Sequence, residues 1–96
     1  MQDTLFKPSH EELAIRWMRR HPDVMAFLAE AALSAASRGK KFGMRLLWER
    51  ARWECDVEWN ADYKLNNNHM PYVADELIRR YPHLDKHIAR RARGER

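Results

Sequence analysis

The stretch from residue 57 to residue 81 places the tightest limits on how this chain can fold. In VEWNADYKL, apolar and polar residues alternate on both sides of the turn-prone residues 60–62, a pattern typical of a β-hairpin. Further along, Pro71 suits the first turn of a helix. Apolar residues then recur at helical spacing, at Val73, Leu77 and Tyr81. The sequence therefore predicts a hairpin that leads into a helix.

Capping and helix-breaking residues divide the rest of the chain into short helices. Ser9 and Glu12 have the spacing of a capping box, which predicts a first helix that ends near Arg20. Pro22 can open a second helix, and Gly39 can end it. Further helices are predicted at residues 41–55 and 70–80 and around Leu84, Ile88 and Ala92. The expected fold is mainly α with a small β-hairpin (α+β), with about five helices in a winged-helix-like order.

A chain of 96 residues is long enough for one domain with a single modest core. We expect a flexible N-terminus at residues 1–8, a globular domain at residues 9–85 and a basic tail at residues 86–96. No apolar run approaches the roughly 20 residues that span a bilayer, and the first residues lack the pattern of a secretion signal. The lone Cys55 excludes an internal disulfide, so we expect a cytoplasmic protein with no membrane partner.

The net charge of +4 is concentrated in the tail, because residues 1–85 carry equal numbers of basic and acidic residues. The body is nevertheless polarised. Residues 38–52 contain six basic residues against the single Glu49, whereas residues 54–62 contain four acidic residues and no basic one. Such separation creates local electrostatic potentials that the total charge does not reveal. The alternative is a solvated helix face followed by a frayed tail.

The order of two helices, a basic helix and a hairpin resembles that of a winged helix-turn-helix protein, which reads duplex DNA with its third helix. The tail arginines could add phosphate contacts, although cations at a helix end also complement its dipole. The residues expected to contact DNA are Lys40, Lys41, Arg45, Arg52, Lys64, Asn67, Asn68, Arg90, Arg91 and Arg93. An objection is that the expected wing carries three acids, Asp56, Glu58 and Asp62, which phosphate would repel.

The asparagine run at residues 66–68 allows two interpretations. Asparagine side chains cap helices and favour turns, which accounts for one or two of the three residues. The third would then be left to bind a partner or a base edge.

Catalytic and metal-binding patterns are weak. Cys55 follows an apolar helix without a basic partner, so we expect it to be packed rather than reactive. His83 and His87 share a helical spacing, but two ligands do not make a metal site. There is no glycine-rich phosphate loop. We therefore expect no enzymatic activity, no cofactor and no metal.

The segment LLWERARWE, followed by YKLNNNHMPYVADELIRRYPHL, resembles a pattern in small proteins encoded by phages, prophages and other mobile elements. The match covers roughly residues 42–88. The matching residues are Trp48, Glu49, Arg50, Lys64 through Asn68, Tyr72, Leu77, Pro82 and Leu84. That family has no assigned activity, so the resemblance implies a mobile-element origin and transfers no catalytic residue.

Two functions therefore stay open. The preferred one is a small DNA-associated regulator. The alternative is a protein-interaction module, such as an anti-defence inhibitor or adaptor on a host complex, in which an acidic patch mimics phosphate. Its contact residues would be Asp56, Glu58, Trp59, Asp62 and Tyr63. A homodimer through the third or fourth helix would suit either function. An uninterrupted acidic patch beside exposed aromatics would favour the alternative.

Overall fold

The computed structural model describes residues 7–89, and within them the chain is mainly helical. Its elements are α1 (His10–Arg20), α2 (Pro22–Ser37), β1 (Phe42–Gly43), α3 (Met44–Trp53), α4 (Met70–Arg80) and β2 (Ile88–Ala89). No helix in this part of the chain is long and apolar enough to cross a membrane.

Local signals set the bounds of the first two helices, as predicted. The Ser9 hydroxyl accepts a hydrogen bond from the Glu12 amide at 3.1 Å, and the Glu12 carboxylate accepts one from the Ser9 amide at 2.9 Å, which completes the capping box. Pro22 starts α2. At its end, Gly39 adopts a left-handed φ of 71°, and the amides of Gly39 and Lys40 donate to carbonyls of the last turn in a Schellman motif.

The β-hairpin predicted between residues 56 and 65 is wrong. Instead α3 continues into a π-helical turn, Glu54–Glu58, and the residues after it follow an irregular path. The carbonyl of Glu54 accepts a hydrogen bond from the Trp59 amide at 2.8 Å, so backbone groups that a hairpin would use are taken by the extended helix. Asn60, with a left-handed φ of 52°, lies just past this turn. The winged-helix arrangement therefore lacks its wing.

The strands of this part of the chain form a two-residue parallel pair, with Phe42 opposite Ile88 and Gly43 opposite Ala89. Up to residue 89, the fifth helix predicted around Leu84, Ile88 and Ala92 is replaced by a 3₁₀ turn, Pro82–Lys86, followed by β2; Ala92 lies outside the described residues. The Phe42 amide donates to the carbonyl of His87 at 2.9 Å, and the ring of His87 bonds the carbonyl of Lys40 at 2.7 Å. The end of the described chain is thereby fastened to the residues that precede α3.

All four helices contribute to one core. Its largest fully buried side chains include Trp48 from α3, Met25 and Leu28 from α2 and Leu77 from α4. Two residues after α4 complete it, Leu84 and Ile88. We expected Ile88 to belong to the basic tail, but it is a core residue.

Candidate interaction surface on the third helix

Helix α3 has an apolar face on each side, and only one of them is covered. Its inner face contributes Met44, Leu47, Trp48 and Ala51 to the core. On the outside, Leu46, Trp53 and Val57 are 69 %, 57 % and 52 % exposed. Their spacings of seven and four residues place them along one side of α3 and its π-helical turn. We call these three residues the α3 stripe.

Aromatic rings and a guanidinium also lie at the surface near α3 and its π-helical turn. The guanidinium of Arg50 lies 5.8 Å from the centre of the Phe27 ring, in a cation–π arrangement. Trp59 packs edge-on against the same Phe27 ring at 6.1 Å and is itself partly exposed. The indole N–H of Trp53 donates to Glu58 at 3.3 Å, which orients the ring on the surface. Exposed apolar residues aligned along one side of a helix make this surface the candidate for interaction.

The exposed residues around the start of α3 and those after its last residue have charges of opposite sign. Lys40, Lys41 and Arg45 are exposed at its beginning, and among the described residues Arg45 makes only a long ion pair of 3.8 Å with Glu49. Past its end, Asp56, Glu58 and Asp62 are exposed. Within residues 7–89 none of these three carboxylates forms an ion pair. These exposed carboxylates lie on a helical turn and an irregular segment rather than on a hairpin.

The sequence predicted that Arg52 contacts DNA, but its side chain makes hydrogen bonds within the chain. Its guanidinium donates to Glu49 at 2.8 Å, to the carbonyl of Leu65 at 2.9 Å and to the side chain of Asn67 at 2.6 Å. The bond to Arg52 also lowers the pKa of Glu49 below its ordinary value. A rigid fork with several donors suits this role, and it ties α3 to the asparagine run.

The three asparagines divide their roles. The side chain of Asn66 accepts a hydrogen bond from the Asn68 amide at 2.8 Å and caps the 3₁₀ turn before α4, while Asn67 accepts from Arg52. The side chain of Asn68 is exposed and has no hydrogen-bond partner among the described residues. Asn66 and Asn67 therefore have structural roles, and the side-chain amide of Asn68 is available to solvent.

The remaining predicted site residues lie apart from one another. Tyr63 is half-buried and donates its hydroxyl to Asp23 at 2.8 Å, a bond that raises the pKa of Tyr63. It anchors the irregular segment to α2 rather than standing open for a partner. Lys64 is exposed on that segment. Arg90, Arg91 and Arg93 lie outside the described residues.

Beneath α3 lies a cluster of rings that sequence reasoning missed. Trp17 contacts His21, Trp48 and His69, at centroid distances of 4.9, 5.5 and 5.9 Å. In the described part of the chain, a buried ring nitrogen of each of these four residues lacks a hydrogen-bond partner. Burial lowers the pKa of His69, because the charged imidazolium is poorly solvated there. The separate sequence positions of these residues gave no signal of the cluster.

Burial also disfavours reactivity at Cys55. The Cys55 thiol is buried, and burial raises its pKa to about 11, with Asp23 contributing. The thiol is therefore uncharged near neutral pH, as expected of a packed cysteine. No group of three or more metal-ligating side chains is placed to hold an ion within residues 7–89.

No family model, curated protein or solved structure matches this chain. The similarity to small phage and mobile-element proteins stays a prediction. The surface of α3 is then the main guide to function.

Proposed function

We propose that the protein is a protein-interaction module that docks through the α3 stripe. The observation that carries this proposal is the exposure of Leu46, Trp53 and Val57 along one side of one helix. The sequence already shows more apolar residues on α3 than one face needs, but it does not show which of them lie on the outside.

Covering these side chains would stabilise a complex. Covering a leucine or valine side chain contributes about 1.5–3 kcal/mol, and tryptophan and arginine are the residues that most often dominate binding. Here Trp53 lies beside Arg50, whose guanidinium already rests on an aromatic ring. An interface centred on this pair would have an apolar middle and a charged rim.

The acidic groups beside the stripe give the proposed inhibitor or adaptor role its chemistry. Asp56, Glu58 and Asp62 would favour a partner with a basic face, including one that normally binds nucleic acid, for which the carboxylates would mimic phosphates. A mobile-element origin, as the sequence resemblance implies, would suit such a role on a host complex.

Photo-crosslinking tests this proposal. A benzophenone amino acid at position 50, between Leu46 and Trp53, should form adducts with another polypeptide in cells that make the protein. The same probe at Leu13, an exposed apolar position on α1, is the matched control and should form none. Adducts should disappear in a Leu46→Glu, Trp53→Glu background. Equal adducts from both probe positions, or none from position 50, would contradict the proposal.

DNA association is the second candidate, because Lys40, Lys41 and Arg45 are exposed together at the start of α3. Binding of the full chain to a labelled random duplex should then weaken as salt rises. It should also weaken in a Lys40→Glu, Lys41→Glu variant, while Arg16→Glu, at an exposed position on α1, serves as control. An absence of binding at low salt would eliminate this candidate.

A further inference from the structure

The distribution of charge along α3 indicates which partner the α3 stripe accepts. The helix is basic before and at its beginning, at Lys40, Lys41 and Arg45, and acidic in its π-helical turn, at Asp56 and Glu58. Because the π-helical turn continues α3, both charged ends belong to one helical rod with the apolar stripe between them. A hairpin at residues 56–65 would have taken the acids off this rod.

We propose that the partner is a second copy of this chain, packed with its α3 antiparallel to the first about a two-fold axis. This proposal rests on the interaction function proposed above and names its partner. A two-fold contact must be self-complementary, since each surface meets an identical one. A helix that is basic at one end and acidic at the other meets that requirement only in the antiparallel direction. Parallel packing would set Arg45 against Arg45 and Asp56 against Asp56.

Helix geometry allows the opposite charges to meet. When the two-fold axis passes at the level of Ala51, Leu46 of one copy faces Val57 of the second copy. The apolar groups of the two copies then cover one another. Arg45 and Asp56 are eleven residues apart, about three helical turns, and therefore lie on the same side of the stripe. A two-fold axis perpendicular to the helices keeps that side together, which places Arg45 opposite Asp56 of the second copy.

The other side of the stripe satisfies the same condition. Arg50 and Glu54 are four residues apart and share a side, so Arg50 faces Glu54 of the second copy. Neither pair duplicates a contact within one chain, because no ion pair within residues 7–89 joins Arg45 to Asp56 or Arg50 to Glu54. Both flanks and the centre of the interface are thus complementary in a single arrangement.

Sedimentation equilibrium of the full chain, over concentrations up to about 1 mM, tests the proposal by measuring the dimer Kd. Arg45→Asp and Asp56→Arg should each raise the Kd about tenfold, because each disturbs two symmetry-related pairs of modest strength. The double variant, with the charges exchanged, should restore the dimer. Arg16→Asp on α1 is the matched control and should leave the Kd unchanged. Circular dichroism of each variant checks that the helices are intact.

The results of these measurements distinguish a failure of the antiparallel dimer from a failure of the proposed interaction function. A chain that stays monomeric throughout, or a dimer that neither single variant weakens, or a double variant that fails to recover, would overturn the antiparallel dimer. If the probe at position 50 still forms adducts with a different polypeptide, the interaction function stands without it. Adducts of twice the chain mass, together with recovery in the double variant, would support both.

Discussion

On the inner face of α3, Trp48 is fully buried, whereas Trp53 on the outer face is 57 % exposed. Leu47 and Leu46, neighbours in sequence, are divided in the same way between core and surface. The two faces therefore have similar residue types in opposite environments. Apolar content along a helix therefore does not measure how much that helix contributes to stability. The inner face belongs to the core, and the outer face is the one proposed for association.

Substitution of the inner tryptophan should give the largest effect. Trp48→Ala should lower the free energy of unfolding by about 3–5 kcal/mol, because it removes a large buried ring and leaves a cavity. Trp53→Ala, the matched substitution on the outer face, should change it by no more than about 0.5 kcal/mol. Urea denaturation of both variants measures the contrast. Similar losses from the two would break the distinction between the faces.

Arg52 lies at the border between the faces, where it ties α3 to the asparagine run, and its loss should have an intermediate effect. Arg52→Ala should cost about 1–3 kcal/mol, because it removes charge-assisted hydrogen bonds to Leu65 and Asn67. Arg45→Ala, which loses only one long ion pair, is the control and should be nearly neutral. Both values come from urea denaturation. An Arg52→Ala variant as stable as the control would show that the tie to the asparagine run is unimportant.

The ring cluster on the inner side should make stability depend on pH. Burial lowers the pKa of His69 in the folded state below its ordinary value of 6.5, so the unfolded chain binds its proton first as pH falls. The contribution of neutral His69 should therefore be complete above pH 6.5 and decline as pH falls through that value. His69→Gln should flatten this part of the profile of unfolding free energy against pH. Asn68→Gln, on the same turn, is the control; an unchanged profile in His69→Gln would contradict the prediction.

The smallest effect on stability is expected from the outer leucine. Leu46→Gln should change the thermal midpoint by no more than a few degrees, because the side chain is already largely in water. Leu47→Gln, one residue away, places an amide in the core and should destabilise strongly. Thermal unfolding followed by circular dichroism compares the two. A large loss in Leu46→Gln at monomeric concentrations would show that the outer face supports the fold as well.

Where the signals are local, sequence predicts this fold well. Ser9 with Glu12, Pro22 and Gly39 define helix ends through contacts within a few residues, and the structure confirms α1 and α2. The alternation of apolar and polar residues between Val57 and Leu65 led to the wrong prediction of a hairpin. The same residues can instead continue α3 into a π-helical turn, and the structure has that turn. The spacing of apolar residues does not show which amide will donate a hydrogen bond to a given carbonyl, such as that of Glu54.

The candidate site was less predictable because it depends on contacts between distant segments. Arg52 is basic and lies on α3, yet its donors are occupied by Leu65 and Asn67, which the sequence places more than ten residues away. The surplus of apolar residues on α3 was visible in the sequence, but which of them stay exposed depends on how α2 and α4 pack. The sequence therefore indicates that α3 has a second apolar face, but it does not identify the residues of the α3 stripe.

The two-residue pairing of β1 with β2 also bears on the order of folding. It joins Phe42 to Ile88, 46 positions along the chain, and it accompanies the burial of Leu84 and Ile88. During synthesis, α1 to α4 can form while the core still lacks these two side chains. The nascent chain can therefore gain the contacts of Ile88 only once that residue has emerged from the ribosome. A truncation at residue 85 would keep Leu84 but lack Ile88 and the strand pair.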